Sequence, residues 1–289
     1  MDLWTIALSV MVMTGLGILL SVTLALANKR LYVYEDPRID AVEGLLPNAN
    51  CGACGFPGCR NFAEQVVGGK ITPGQCTVST PDAREEIAGL LGVSAGAGIK
   101  RVARLACAGG TNVARQRAVY QGLPTCRAAN LVAGGGKGCA WGCLGLSDCA
   151  TVCAFGAITM DPHGLPVVDL DRCTACGDCV DICPRRLFSL ESVEQHLFVR
   201  CKNEAFGELA EQECEVACTA CGRCAADAPS ELIVMKNNLA VISGERLGEQ
   251  SFQAIQRCPT GAIVWLDGGT IVKGRAAKKI VRTTALPVG

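Results

Sequence analysis

The sequence predicts an α+β chain in which one long apolar helix precedes a small four-cysteine domain and two tandem cysteine-built units. Three observations carry this reading. Residues 3–28 contain no charged side chain. The 289 residues include twenty cysteines, far above ordinary usage, and most of them fall in closely spaced runs. A short apolar stretch of strand character, AFGAITM, follows one of the central runs.

Composition narrows the chemistry. In a secreted protein so many cysteines would imply disulfides, but close spacing favours metal ligation in a reducing compartment. Lys plus Arg equals Asp plus Glu, 27 of each, so nothing supports nucleic-acid binding. Aromatic residues make up only 4% of the chain. Large apolar side chains are therefore scarce, and bound metal groups are expected to nucleate much of the fold. Gly96-Ala97-Gly98 and the GGGKG at 134–138 lack the context and spacing of nucleotide loops and read as flexible turns. His163 and His196 are isolated, and no nucleophile–base pairing is suggested, so no catalytic residue is assigned.

The uncharged run, extended as a helix, reaches about 39 Å, enough to cross a hydrocarbon core of about 30 Å. A cleaved signal peptide is the rival reading, although the segment before the run carries Asp2 and no Lys or Arg. Lys29 and Arg30 follow directly and, by the positive-inside rule, place the C-terminal bulk in the cytoplasm. The expected location is a bacterial cytoplasmic (inner) membrane, crossed once. Residues 1–28 form the anchor and 29–46 a linker.

The segment 47–80 holds Cys51, Cys54, Cys59 and Cys76, with Gly-rich turns, a helix over 60–67 and Pro73-Gly74 returning the chain. Four thiols with close backbone approach suit one [4Fe-4S] cluster; a zinc knuckle is the alternative. A helix over 82–91 and a flexible linker fill 81–100.

The first unit, 101–200, contains CTACGDCVDICP, which sets Cys173, Cys176, Cys179 and Cys183-Pro184 at the spacing of a bacterial-type ferredoxin. In that arrangement three thiolates of a run bind one cube and the fourth, before proline, binds the other. Cys153 of the preceding run therefore joins Cys173, Cys176 and Cys179. Cys143, Cys149 and Cys183 form the second set. Its remaining position is Leu146, so Cys139 is expected to substitute. Zinc also binds CxxC pairs, but does not need the Cys-Pro crossover.

The second unit, 201–268, is half emptied. Cys218, Cys221 and Cys224 persist, but Ala228 stands where the fourth thiol would be. Cys258-Pro259 persists, but Ala254, Ser251 and Gly248 replace the three thiols expected upstream. All four losses fall on one cluster, and Cys218, Cys221, Cys224 and Cys258 make a complete set. Cys107, Cys126, Cys201 and Cys214 remain, at analogous places before the two runs. They are either plain thiols or a fifth cluster bridging the units. The tail, 269–289, has five basic residues from Lys273 onward and no acid there, and is expected to be mobile.

The anchor, then EDPRIDAVEGLLPNANCGACGFPGC, then the longer ferredoxin-like region resembles the B subunit of the Rnf complex over residues 1 to about 266. That resemblance implies a membrane-bound ferredoxin:NAD oxidoreductase coupled to Na⁺ or H⁺ translocation. In it this chain would relay electrons without converting substrate. The implied partners are soluble ferredoxin as donor, the other Rnf subunits and the lipid bilayer. The implied cofactors are four [4Fe-4S] clusters and a possible fifth. A corrinoid-enzyme activator and a redox-sensing or structural metal protein are the alternatives. Asp178 and Asp181 would lower the potential of a neighbouring cluster, and Arg185, Arg186 and Arg223 would raise it.

Overall fold

The computed structural model describes residues 3–31, 35–98 and 100–289. Residues 1, 2, 32–34 and 99, which fall in the expected anchor and the two linkers, lie outside the described residues. Helix α1 (Leu3–Leu31) is apolar all round, and its large side chains, from Trp4 to Leu31, lie exposed. Water would not tolerate such a surface, whereas a bilayer would. Three of its polar side chains are satisfied within the helix. Thr14, Ser21 and Thr23 each donate to the carbonyl four residues back, at 2.5, 2.8 and 2.7 Å. The stretch Ala7–Leu31 is long and apolar enough to cross a membrane.

A small helical domain follows. The expected linker contains a helix, α2 (Pro37–Leu45), started by Asp36, whose carboxylate accepts the Arg38 N–H, with proline at its first turn. Its Val42 is buried against Phe62, Ala63 and Val66 of α3 (Cys59–Val67) and Ile87 of α4 (Pro81–Leu91). Arg60 ties α3 to α2 by pairing with Glu35, Asp40 and Glu43. Thr80 caps α4, and Gly92, with φ of 66°, ends it.

The remainder is two copies of one plan. In the first, β1 (Arg101–Leu105) leads through α5 (Cys126–Leu131) and α6 (Asp148–Val152) to the hairpin β2 (Ile158–Met160) and β3 (Pro166–Val168). Then come α7 (Asp178–Ile182) and β4 (Phe188–Ser192), which returns antiparallel to β1. In the second, β5 (Leu197–Val199) is followed by α8 (Gly207–Glu213), α9 (Arg223–Asp227) and the hairpin β6 (Ile233–Lys236) and β7 (Leu239–Ile242). After α10 (Gln253–Gln256), β8 (Ile263–Asp267) returns antiparallel to β5, and β9 (Thr270–Lys273) pairs with β8. Each unit thus closes its opening strand on its last and encloses a hairpin.

Each copy has its own core, and thiols are part of both. Leu105, Leu187, Phe188 and Ile158 pack with Cys149 and Cys179 in the first. Leu197, Leu232, Ile255 and Ile263 pack with Cys224 and Cys258 in the second. His163 sits in the β2–β3 turn, where Asp161 Oδ1 accepts from its backbone N–H and that of Leu165. His196 stacks on Trp265 and contacts the Leu266 carbonyl at 2.7 Å. Both histidines have structural roles.

The tail corrects an expectation. It is a strap running from the second unit back to the first. Lys278 pairs with Glu211, and Arg282 Nη1 donates to the Asn112 carbonyl and to Glu215. Leu286 N–H donates to Thr111 O, Gly289 N–H to Gln116 O, and Ile280 packs beside Val113, Ala210 and Val216. Lys278 and Arg282 are fixed because acids of the body lie within reach, a complementarity that the tail's own composition does not reveal. The strap begins at Gly274, which is buried where a Cβ would run into the Ile255 carbonyl. Gly274→Ala is expected to cost about 1–3 kcal/mol and to lower the thermal unfolding midpoint by several degrees.

Candidate metal centres

Three loops share one backbone path. Counting from the first cysteine of each run, the residues at plus two and plus four are left-handed. They are Gly145 and Ser147 after Cys143, Ala175 and Gly177 after Cys173, and Ala220 and Gly222 after Cys218, with φ between 57° and 97°. Alanine and serine adopt this conformation at a cost, so its recurrence marks a constrained site. A short helix then opens at plus five in each case, at Asp148, Asp178 and Arg223. Leu146 therefore occupies the place that Cys176 and Cys221 hold in the other loops.

The thiols gather in groups of four. Cys51, Cys54, Cys59 and Cys76 line one cavity, where Asn50 Oδ1 accepts the Cys59 N–H at 2.8 Å. Cys153, Cys173, Cys176 and Cys179 line another. Cys126, Cys143, Cys149 and Cys183 line a third. Cys107, Cys139, Cys201 and Cys214 line a fourth. In the second unit Cys224 feels the charges of Cys218, Cys258 and Cys221.

Two expected sets thus exchange a member. Cys139 does not stand in for Leu146; the structure puts Cys126 beside Cys143, Cys149 and Cys183, and Cys139 beside Cys107, Cys201 and Cys214. The physical reason is an insertion. The segment from Cys107 to Cys139 is longer than its counterpart from Cys201 to Cys214, and the extra chain carries α5 with Cys126 at its first position. Thr125 caps that helix, and Asp148 Oδ2 accepts the Arg127 N–H. The three left-handed glycines 134–136 then turn the chain back against Ala118, where a Cβ on Gly136 would collide with the Ala118 carbonyl. A signal for this was present in the sequence. Cys139 precedes Cys143 by the same offset that separates Cys214 from Cys218.

The fourth cavity sits at the junction, and each unit gives it two thiols by the same local geometry. Cys107 and Cys201 each lie two residues beyond the opening strand of their unit. Cys107 Sγ accepts the Gly109 and Cys143 N–H groups, both at 3.4 Å. Cys201 Sγ accepts those of Asn203 and Cys218, at 3.4 and 3.3 Å. The backbone of Cys143 and of Cys218 therefore links the junction group to the group on either side. On the far side of the first unit, α6 packs on α7, and Cys149 feels the charge of Cys179. The order is Cys173 group, Cys126 group, junction group, Cys218 group.

Burial is the first cause of the thiol acidities. It pushes Cys143, Cys149, Cys179, Cys201, Cys214 and Cys224 up to about 12, with neighbouring thiolates adding to it in each. Free of metal, these groups are protonated at neutral pH, so ligation must release protons. Arg185 bridges two groups. Its Nη1 donates to the Cys139 and Gly142 carbonyls at 2.8 Å, Nη2 to Gly134 O at 3.0 Å, and Nε to Asn130 Oδ1 at 3.1 Å.

The donor sets fit a cube better than a single ion. Four thiolates on one zinc would lie about 3.8 Å apart. Among the described residues no three His, Cys, Asp or Glu side chains converge closely enough to hold one metal ion. The thiols instead stand four to a pocket at wider spacing, with backbone N–H groups aimed at sulfur.

Such a fold and such centres define an iron–sulfur electron-transfer protein with a helix able to cross a membrane. Residues 46–78 match the family described as "Putative Fe-S cluster" and 138–187 the "4Fe-4S dicluster domain". The B subunit of the Na⁺-translocating ferredoxin:NAD⁺ oxidoreductase complex of Acetobacterium woodii is 36% identical, over 92% of this chain and 78% of its own length. Its proton-translocating counterpart from Clostridium ljungdahlii is 38% identical, over 92% and 94%. The B subunit of the ion-translocating oxidoreductase complex of Methanosarcina acetivorans is 34% identical, over 82% and 90%. The chain belongs to this family, the B subunits of Rnf-type ion-translocating oxidoreductases.

Arg185→Met would leave the Gly142 carbonyl and Asn130 Oδ1 unmet, and the Cys139 and Gly134 carbonyls with one backbone donor each, and is expected to destabilise the chain by about 3 kcal/mol. Arg185→Lys should recover only part of this, since one ammonium cannot span the same four oxygens. Thermal unfolding of the two variants checks the ranking.

Proposed function

We propose that the chain binds five [4Fe-4S] clusters and carries electrons from a reduced ferredoxin into the membrane part of an Rnf-type complex. The five ligand sets are Cys51/Cys54/Cys59/Cys76, Cys153/Cys173/Cys176/Cys179, Cys126/Cys143/Cys149/Cys183, Cys107/Cys139/Cys201/Cys214 and Cys218/Cys221/Cys224/Cys258. One observation carries the reading, the paired N–H···S contacts of Cys143 on Cys107 and of Cys218 on Cys201. They join the two units' thiol groups through a shared one, so that four groups form a row and not two separate pairs.

A bound cluster supplies one-electron exchange without bond making or breaking. The protein's part is to hold each set of thiolates, to aim N–H groups at sulfur and to keep water from the buried sets. Cys107, Cys139 and Cys214 are all buried, whereas Cys221 is exposed. An exposed ligand edge at the end of the row suits exchange with a soluble partner. The small domain that carries Cys51 to Cys76 directly follows the membrane helix in the chain, which favours it as the group that serves the membrane subunits. Lys29 and Arg30 at the end of that helix favour a cytoplasmic location for everything after it. The coupling ion differs between the named relatives, and the described residues carry no feature that selects it.

The ligand sets are tested by paired substitutions in the full-length, detergent-solubilised protein prepared anaerobically. Cys126→Ser with Cys143→Ser touches one set and should remove about four irons, whereas Cys139→Ser with Cys143→Ser touches two sets and should remove about eight. The opposite ranking would restore Cys139 to the set of Cys143, Cys149 and Cys183 and refute the junction set given above.

A further inference from the structure

We propose that the junction site, Cys107/Cys139/Cys201/Cys214, is the most easily reduced of the row and holds an electron between the two units. Lys137, Arg185 and Arg200 surround it, and no carboxylate stands in its wall. This rests on the five-site reading above. Lys137 and Arg200 line the cavity themselves. Lys137 is buried, its Nζ donating to Gly109 O at 2.6 Å and its chain lying against Gly142 and Cys139. Arg200 Nη2 reaches the Cys107 carbonyl at 3.5 Å. Arg185 grips the carbonyls of Cys139 and Gly142 from the side of the Cys126 group.

The neighbouring sites differ. Asp178 lies in the wall of the Cys173 group, with its Oδ2 3.5 Å from Cys176 Sγ, although Arg104 stands near Cys173. Asp148 lies in the wall of the Cys126 group, opposite Arg185. Beside the Cys218 group, Arg257 is neutralised by Asp227 at 2.5 Å, which leaves Lys273 near Cys258 and Arg223, exposed to water, next to Cys224. Two acids lie outside the junction wall. Glu213 pairs with Arg117 through Oε1 while its buried Oε2 has no partner, and Asp161, which accepts N–H groups in the β2–β3 turn, acts on Arg200. Hydrogen bonding adds to the cations at the junction. Cys107 and Cys201 together accept four backbone N–H groups.

Cations and N–H donors stabilise added negative charge and raise a reduction potential, while burial opposes it. At the junction burial also removes the water that would screen the cations, so they act at greater strength. One electron leaves the ferredoxin-type donor, which is oxidised, and adds at the junction, which is reduced. No bond changes, and the added charge is met by cations already in place and not by a proton.

The test is a potentiometric titration followed by EPR on the full-length protein in detergent, with iron and sulfide counted on every variant. The first signal to appear should be the one lost in Cys214→Ala. Lys137→Met and Arg200→Gln should each make reduction of that site at a fixed potential at least tenfold less favourable, a shift of 59 mV for one electron. Arg200→Lys should stay near the unaltered value. If the first signal survives Cys214→Ala, or does not move in either charge-removing variant, the proposal is overturned. A preparation with five clusters and an unmoved signal refutes this inference alone, whereas one with four clusters refutes the five-site reading on which it stands.

Discussion

The structure turns on a site that neither ferredoxin-like unit completes. Cys107 and Cys139 come from one unit, Cys201 and Cys214 from the other, and each pair reaches the junction by the same local route. An opening strand ends two residues before one thiol, and the other stands at a fixed offset before the cysteine run. A cluster bound there would act as a covalent weld. It would fix the spacing of the units more tightly than the sparse apolar contacts of a chain with 4% aromatic residues. The tail strap works toward the same end, because its contacts at Thr111, Asn112 and Glu215 close over the strands and loops that present these thiols.

The same constraint explains the departures from ferredoxin spacing. Once a thiol ahead of each run is committed to the junction, the first unit's loop must find a replacement for the missing thiol at Leu146. The insertion with Cys126 supplies it, held in place by Thr125, Asp148, Arg185 and the left-handed glycines at 134–136. The second unit resolves its own losses differently. On the proposed ligand sets Ala228, Ala254, Ser251 and Gly248 leave one cluster without ligands, and the hydrophobic core takes that side, with Ala254 and Ile255 fully buried.

Much of this was legible in the sequence, and what was not had a physical cause. Cys173 to Cys183 could be read because cluster ligation dictates spacing within a short loop, and the helices 60–67 and 82–91 because their apolar residues recur at helical spacing. The membrane-length helix was legible from its lack of charge. The partner of Cys143 was not, because a thiol delivered by an insertion leaves no fixed spacing, and a plausible nearer cysteine competed for the place. Helix α2 was hidden in a mixed stretch whose signs were Asp36-Pro37 and the apolar Ile39, Val42 and Leu45. The tail's order depends on acids far away in sequence, and composition alone gave the opposite expectation.

Iron and acid-labile sulfide counted per chain, on the full-length protein purified anaerobically in detergent, test the central claim most directly. Five cube-binding sets, with all twenty cysteines used, require about twenty of each. About sixteen of each, with cluster loss excluded, would contradict the shared junction and leave two ferredoxin-like units held together by protein contacts alone.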